Sequence, residues 1–569
     1  LIVYLNSFHT SFHFDDYFAI TGNEAVREAG NLSKNFWLYP GRFLLIYSFT
    51  LNYFIHGADP VGYHVANFLF HLGSAIFLFF CALAIFRSQE EESGAPVLFI
   101  APALFVALLF AAHPIMTESV TYISGRTSSL AGLFYLGTLS LYTAAFLGKQ
   151  MDAGGGGRRT AFYAASVVLF FLSLWVKESN ATLPLILLAL DFYFVERGHW
   201  RRLLNSVLRA APFFLILTGI LLWRKVYVGA IGEARPLRSM TVNLLTQFRV
   251  VVEYIRLLFI PVNQNIDHDV ALAHSLLEPP TLLAFLLLLL IGLAALLLFK
   301  KSKIASFGII WFFVNLAPTS SVIPLWDLMS ERWLYIPSIG AFLVAGGALA
   351  KVYKLGRSRE ALRKLASASA VAVVCAFSVL TIARNTVWKN EYTLWRDAVE
   401  KSPRKARPHN NLAMALAEKG DLEGALREAH AALSLEPESP ETSFNLASLY
   451  LQLGRYDEAI VLLRHTLARF PSSGIPPRLA DDFAKAHFNL GSAYLYKGDY
   501  EQAIAEYRKS LELAPYLPWA HSNMGVAYEM LGDYRLAIAE FEKEFALNPS
   551  PQVARNLENA RQKLKDKAE

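Results

Sequence analysis

Four copies of one 34-residue pattern occupy the C-terminal part of this chain. Asn411-Leu412, Asn445-Leu446, Asn489-Leu490 and Asn523-Met524 open the copies. Gly420, Gly454, Gly498 and Gly532 recur in phase, as do Ala425, Ala459, Ala503 and Ala537, and then Pro437, Pro471, Pro515 and Pro549. The pattern predicts a helical hairpin in each copy. Glycine supplies the turn, alanine lets the two helices approach, and proline ends the unit. The copies are spaced 34, 44 and 34 residues apart, so an insertion near 474–483 separates the middle pair. One such hairpin cannot bury its apolar face alone, so the copies must stack.

This repeat resembles the tetratricopeptide (TPR) repeat. The resemblance implies an α-solenoid that binds proteins along a concave groove. It predicts an array over 406–551, with a C-terminal capping helix at 552–569 and a linker or capping helix at 386–405.

The rest of the chain calls for a different solvent. Hydrophobic residues make up 54% of the protein, and mean hydropathy is +0.33 with the polar repeats included. Apolar runs fall at 65–86, 97–112, 130–147, 161–176, 180–195, 207–228, 281–299, 304–324, 333–350 and 367–383. Together with Leu1–Leu5, read as the end of a truncated first span, they predict about eleven membrane helices over 1–385. Residues 246–262 carry Arg249, Glu253 and Arg256 within an apolar pattern and read as an interfacial helix. The expected fold is therefore all-α, with a polytopic membrane domain followed by the solenoid.

The formal charge of +6 is unevenly spread. After Glu400 there are 21 Lys+Arg against 23 Asp+Glu, so the excess lies in the apolar part. It gathers in short loops, at Lys149, Arg158 and Arg159, at Arg197, Arg201 and Arg202, and at Lys300, Lys301 and Lys303. A fourth cluster holds Lys351, Lys354, Arg357, Arg359, Arg363 and Lys364. With 246–262 not crossing, all four share one side, which the positive-inside rule makes cytoplasmic. Such a distribution speaks for membrane topology and against nucleic acid as a partner. Loops 6–64, 113–129, 229–280 and 325–332 and the repeats then lie opposite. The glycine run 154–157 lacks the Lys-Ser/Thr of a phosphate loop and reads as a connector. Cys81 and Cys375 both lie in apolar segments, with no disulfide or zinc framework.

Charged residues on the non-cytoplasmic side are the candidates for chemistry. Asp15-Asp16 could supply a general base, because adjacent carboxylates raise one another's pKa; a solvated pair or a helix cap is the bland alternative. Arg42, Glu118, Arg126, Lys177, Glu178, Glu331 and Arg332 sit at span edges, where ionisable groups are paired or functional. Asp267-His268-Asp269 reads as a metal triplet or a loop, and no metal is assigned.

Several motifs together are similar to those of the transmembrane-and-TPR O-mannosyltransferases and their bacterial relatives. They are Phe14-Asp15-Asp16 with Ala19-Ile20 and Asn23, His113-Pro114 with Thr117-Glu118 and Gly125-Arg126, Lys177-Glu178 with Thr182-Leu183-Pro184, and Glu331-Arg332-Trp333-Leu334-Tyr335-Ile336-Pro337-Ser338. The resemblance covers both halves of the chain. It implies a GT-C glycosyltransferase in the bacterial inner membrane, with its active-site loops and TPR array in the periplasm. It further implies an inverting transfer from a polyprenyl-phosphate-linked, mannose-like sugar to Ser/Thr hydroxyls of proteins, with no cofactor assigned and a divalent metal left open. On that pattern Asp15 is the expected base and Asp16 its support. Arg126, Arg332, Arg42 and Lys177 are the expected contacts to the donor phosphate, supported by Glu118, Glu178, Glu331 and His268. Tyr39-Pro40-Gly41-Arg42 and Arg332-Trp333 depart from the family's Arg-Pro and Arg-Tyr. Asn411, Asn445, Asn489 and Asn523 share one phase of the repeat and are expected to grip an acceptor backbone, although bonding within each turn is also open to them. A non-catalytic membrane scaffold for envelope proteins is the competing reading, and a glycan or lipid acceptor is a third.

Overall fold

The computed structural model describes residues 2–27, 39, 41–89, 99–148, 156–227, 238–356, 359–470 and 479–568. Pro40, Lys149, residues 154–155, Arg357, Pro471 and 474–478 of the expected insertion lie outside them. The described residues form helices and no strands. They divide into two compact units, Leu1–Lys401 and Ser402–Glu569. Helix Glu391–Lys401, expected in a linker, therefore groups with the membrane unit.

Each of the ten apolar runs contains helix among its described residues, although 304–324 is helical only to Leu316, and fewer than eleven described helices have the length and composition to span. Seven described helices do, Pro60–Ser88, Ile123–Leu147, Glu178–Val195, Trp200–Tyr227, Pro279–Lys301, Ser338–Leu355 and Glu360–Val387. An eighth is possible if Ile100–Ala112 and Pro114–Val120, bent by 51°, count as one. Lys303–Leu316 and Phe43–His56 have 14 residues each, about 21 Å of helix against a hydrocarbon core of roughly 30 Å. Residues Ile2–Ser7 form a 3₁₀ turn. Met240–Phe259 is not among the spanning helices: it buries Thr246, Val250, Val251, Tyr254, Leu257 and Leu258 along one face, opposite Arg249, Glu253 and Arg256.

Pro60–Ser88 and Arg126–Leu147 pack along each other at the centre of the membrane unit. Pro279–Lys301 and Glu360–Val387 bury few residues and expose Leu283, Leu289, Leu296, Val371 and Val379. Such surfaces suit lipid. The bend after Ala112 follows from Pro114, which cannot continue the helix. There the His113 Nδ1 accepts the Ile115 N–H at 3.1 Å. The bend turns Glu118 towards Ser330 and Arg332. A Cβ at Gly125 would lie 2.2 Å from the Glu118 carbonyl oxygen, so only glycine lets this turn close.

In the second unit the hairpins are Ala406–Glu418 with Leu422–Leu435, Pro440–Gln452 with Tyr456–Ala468, Ala480–Lys497 with Tyr500–Leu513, and Ala520–Met530 with Tyr534–Leu547. Pro551–Ala568 packs against the last. Gly420, Gly454, Gly498 and Gly532 have φ of 84°, 70°, 86° and 74°, a region that favours glycine. Ala425, Ala459, Ala503 and Ala537 are fully buried between the helices.

Candidate active site

Asp15 and Asp16 are neighbours in the chain with opposite environments. Asp16 is fully buried and accepts the His13 N–H at 2.9 Å, the Ser124 N–H at 2.7 Å and the Ser124 hydroxyl. Burial pushes its carboxyl up to about 6, against those hydrogen bonds, which favour the anion. The Asp15 side chain is 45% exposed, with Oδ2 3.9 Å from Nη1 of Arg332. The Asp15 N–H donates to the Tyr122 hydroxyl at 3.1 Å.

Arg332 is held from behind. The buried Glu118 carboxylate accepts the Arg332 N–H at 2.9 Å and the Ser330 hydroxyl at 2.8 Å, and lies 3.7 Å from the guanidinium. The Tyr254 hydroxyl bonds the Ser330 backbone at both N–H and C=O, at 2.9 and 3.0 Å. On the other side, Lys177 Nζ donates to the Ser128 hydroxyl at 2.9 Å, which itself donates to the Arg332 carbonyl at 3.4 Å. Arg332 and Lys177 both line a cleft, with Ser128, Asn180, Asn315 and Trp333. Burial and the charges of Arg332 and Arg42 push the Lys177 ammonium down to about 7.

Other expected residues have partners of their own. Glu178 lies 3.7 Å from Arg42 and 3.4 Å from Arg224. Arg42 is more than half exposed. Glu331 is buried and accepts from Gln264 at 2.7 Å, the Asn265 N–H at 2.6 Å and His268 at 3.0 Å. Burial alone would raise its carboxyl. The hydrogen bond and charge of His268, with Arg384 and Asn265, hold it below the usual range. The Asp-His-Asp triplet thus contributes its histidine to Glu331. Among the described residues no group of three or more His, Cys, Asp or Glu side chains is placed to hold a metal.

Arg126 needs correction. It is fully buried, its Nε donates to Asn67 Oδ1 at 2.7 Å, and its Nη atoms donate to the Ser48 and Tyr63 carbonyls at 3.0 and 3.1 Å. The Phe49 ring lies 4.5 Å from its Cζ. This guanidinium knits three helices together and has no face for a donor phosphate. Sequence reasoning also missed Tyr122, Ser124, Ser128, Tyr254 and Ser330, which hold the site. No spacing rule marks them, because their partners are remote in the chain.

In the repeat unit the four asparagines are half-buried. Asn445 donates to Asn410 Oδ1 at 3.1 Å, and Asn523 bonds Tyr507. The Asn411 Nδ2 is buried without a partner. Three hairpins carry a second repeated contact, His409–Glu428, His487–Glu506 and His521–Glu540, each 2.6 Å.

Comparison with known proteins agrees with both units. Residues 396–475 match the family described as "Tetratricopeptide repeat", and 491–532 the one described as "TPR repeat". Protein O-mannosyl-transferase Tmtc3 of Drosophila melanogaster is 25% identical, over 83% of this chain and 58% of its own. Protein O-mannosyl-transferase TMTC3 of Homo sapiens is 26% identical, over 80% and 52%. Human TMTC4 is 25% identical, over 75% and 64%. The chain is similar to these TMTC protein O-mannosyl-transferases. It spans between half and two-thirds of the length of these relatives. Its long apolar helices make it an integral membrane protein, and the family matches give it TPR repeats. Among solved structures, MamA (41-end) of Desulfovibrio magneticus RS-1 is 23% identical over 28% of this chain and 85% of its own, with TM-score 0.25. A thermophilic TPR protein of Thermus thermophilus is 24% identical over 28% and 82%, with TM-score 0.24.

Proposed function

We propose that the protein transfers a mannose-like sugar from a polyprenyl-phosphate donor to Ser or Thr hydroxyls of proteins held by its repeats. The observation that carries this reading is the half-exposed Asp15 carboxylate, 3.9 Å from Arg332, a residue that with Lys177 lines a cleft. A hydroxyl is a poor nucleophile at neutral pH. Asp15 would take its proton as the oxygen attacks the anomeric carbon. The bond from that carbon to the phosphate oxygen breaks, and its electron pair leaves with the lipid phosphate. Arg332 and Lys177 would stabilise the departing anion through charge-assisted hydrogen bonds. A single displacement of this kind inverts the anomeric centre. The relatives' own activity, protein O-mannosyl transfer, supports the same chemistry here. A non-catalytic scaffold would have no need of a half-exposed carboxylate held beside Arg332.

The topology follows from the basic loops, with the Asp15 loop and the repeats on the side opposite those loops. The four asparagines would offer amides to an extended acceptor backbone, an interaction indifferent to its side chains. The deciding experiment incubates the purified protein with a panel of polyprenyl-phosphate sugars and Ser/Thr-rich proteins. Hexose mass should appear on hydroxyl residues, at least about 100-fold more slowly with Asp15→Asn. Transfer by Asp15→Asn at the wild-type rate, or no transfer from any such donor, would overturn the reading.

A further inference from the structure

The Phe14-Asp15 loop is held by a residue on a distant helix. Phe14 has φ of 42°, a left-handed backbone that costs energy for a non-glycine residue and persists only where its surroundings enforce it. The enforcing group is Glu391, at the start of helix Glu391–Lys401. One of its carboxylate oxygens accepts the Phe14 N–H at 2.7 Å, and the other accepts the indole N–H of Trp395. The Phe14 ring meets Trp395 edge-on, with centroids 5.7 Å apart. His13 Nε2 donates to the Trp388 carbonyl at 2.7 Å, and the Ser11 N–H to that of Lys389 at 3.4 Å. The Tyr122 ring, whose hydroxyl receives the Asp15 N–H, stacks on Trp388 at 5.5 Å. Residues 388–395 thus form one wall of the loop.

We propose that Glu391 is a positioning residue that fixes the direction in which Asp15 is presented to the acceptor hydroxyl. This rests on the reading of Asp15 as the base. Glu391 is at most a sixth exposed and lies in none of the recognisable motifs. Its carboxylate is directed at the loop backbone and at Trp395, with His13 Nδ1 3.8 Å away, and none of these contacts is to the Asp15 carboxylate, so it acts through geometry. The helix that bears it runs on to Lys401, after which the repeat unit begins in the chain.

The test uses the full chain in lipid nanodiscs, with Glu391→Ala and Glu391→Gln. Hydrogen exchange at the Phe14 and Asp15 amides should quicken at least about 10-fold in Glu391→Ala. The glutamine variant keeps an amide oxygen for Phe14 but sets an NH2 against the Trp395 N–H, so it should fall between. A misplaced base should lower kcat roughly 10–100-fold. KM for donor and acceptor should stay within about two-fold, and the acid limb of the pH–rate profile should not move, because Glu391 acts on the Phe14 backbone and not on the Asp15 carboxylate. A merely structural residue would lower the yield of folded protein and leave kcat per folded molecule intact. That result, or unchanged exchange at Phe14, overturns the proposal. If the wild-type protein transfers no sugar, the proposed function fails, and exchange at Phe14 alone decides whether Glu391 holds the loop.

Discussion

Asp15→Asn and Asp16→Asn should fail in different ways, although the two changes are chemically identical and adjacent. At Asp15 the amide cannot accept a proton, and kcat should fall by about 10²–10⁴-fold, about 3–5 kcal/mol of barrier. Stability should barely change, since a half-exposed carboxylate 3.9 Å from its partner contributes at most about 1 kcal/mol. Asp16 is buried, and its amide replacement retains one oxygen for the two Ser124 donors while turning an NH2 towards the His13 N–H. That leaves a buried donor unpaired, a loss of about 1–3 kcal/mol. The loss must also depend on pH. The Asp16 carboxyl is raised from 3.8 to about 6 in the folded protein, so the stability linked to its protonation is full below 3.8 and disappears as pH rises through 6. Between pH 8 and pH 5 this linkage adds about 1.4 kcal/mol to the wild type and nothing to Asp16→Asn. Thermal unfolding in nanodiscs, followed by tryptophan fluorescence at both pH values, should show the wild-type advantage widening on acidification. A gap that is flat with pH, or a catalytic loss at Asp16 equal to that at Asp15 with stability intact, would refute the division of labour.

Three further residue sets and the topology give predictions of other kinds. Because the Lys177 ammonium is lowered to about 7, its charge is lost as pH rises through neutrality, so KM for the donor should climb between pH 6 and 8; Lys177→Arg should flatten that climb. Arg126→Met should cost stability, about 3–5 kcal/mol for breaking a buried charged network, and leave kcat of the surviving folded fraction near normal. Replacing Asn411, Asn445, Asn489 and Asn523 with Ala should weaken protein acceptors by roughly 0.5–1.5 kcal/mol per lost hydrogen bond and spare transfer to a short Ser/Thr peptide; equal rates on both would make the asparagines purely structural. Reporters fused at Gly156 and after Lys567 should mark opposite compartments.

Much of the architecture is legible because it is periodic. In-phase glycines announce the four left-handed turns, and in-phase alanines announce the buried helix contacts. Apolar runs announce membrane helices, but a run does not announce its length in space, so Lys303–Leu316 reads as a span and measures short. At the site, sequence proximity misleads in both directions. Asp15 and Asp16 look equivalent, yet one faces out and the other accepts Ser124 from 108 residues away. Arg126 follows a motif glycine at a span edge and resembles a ligand-binding cation. Its fate is decided by carbonyls of Ser48 and Tyr63 that no pattern joins to it. Glu391 lies 377 residues from the amide it holds.

Four carboxylates of the membrane unit share one role. Asp16 accepts a main-chain N–H from His13, Glu118 from Arg332, Glu331 from Asn265, and Glu391 from Phe14. Three of these donors lie in irregular segments and the Arg332 N–H in the first turn of a 3₁₀ helix, where none has a helical partner. A carboxylate suits them better than an amide, because both of its oxygens accept and neither donates. Asp15 differs in kind. Among the described residues its carboxylate meets only Arg332, at a distance too long for a hydrogen bond. Four acids tie loops into place by giving up their lone pairs to the backbone. The fifth keeps its lone pairs free, which is the condition a base must meet to accept a proton from an incoming hydroxyl.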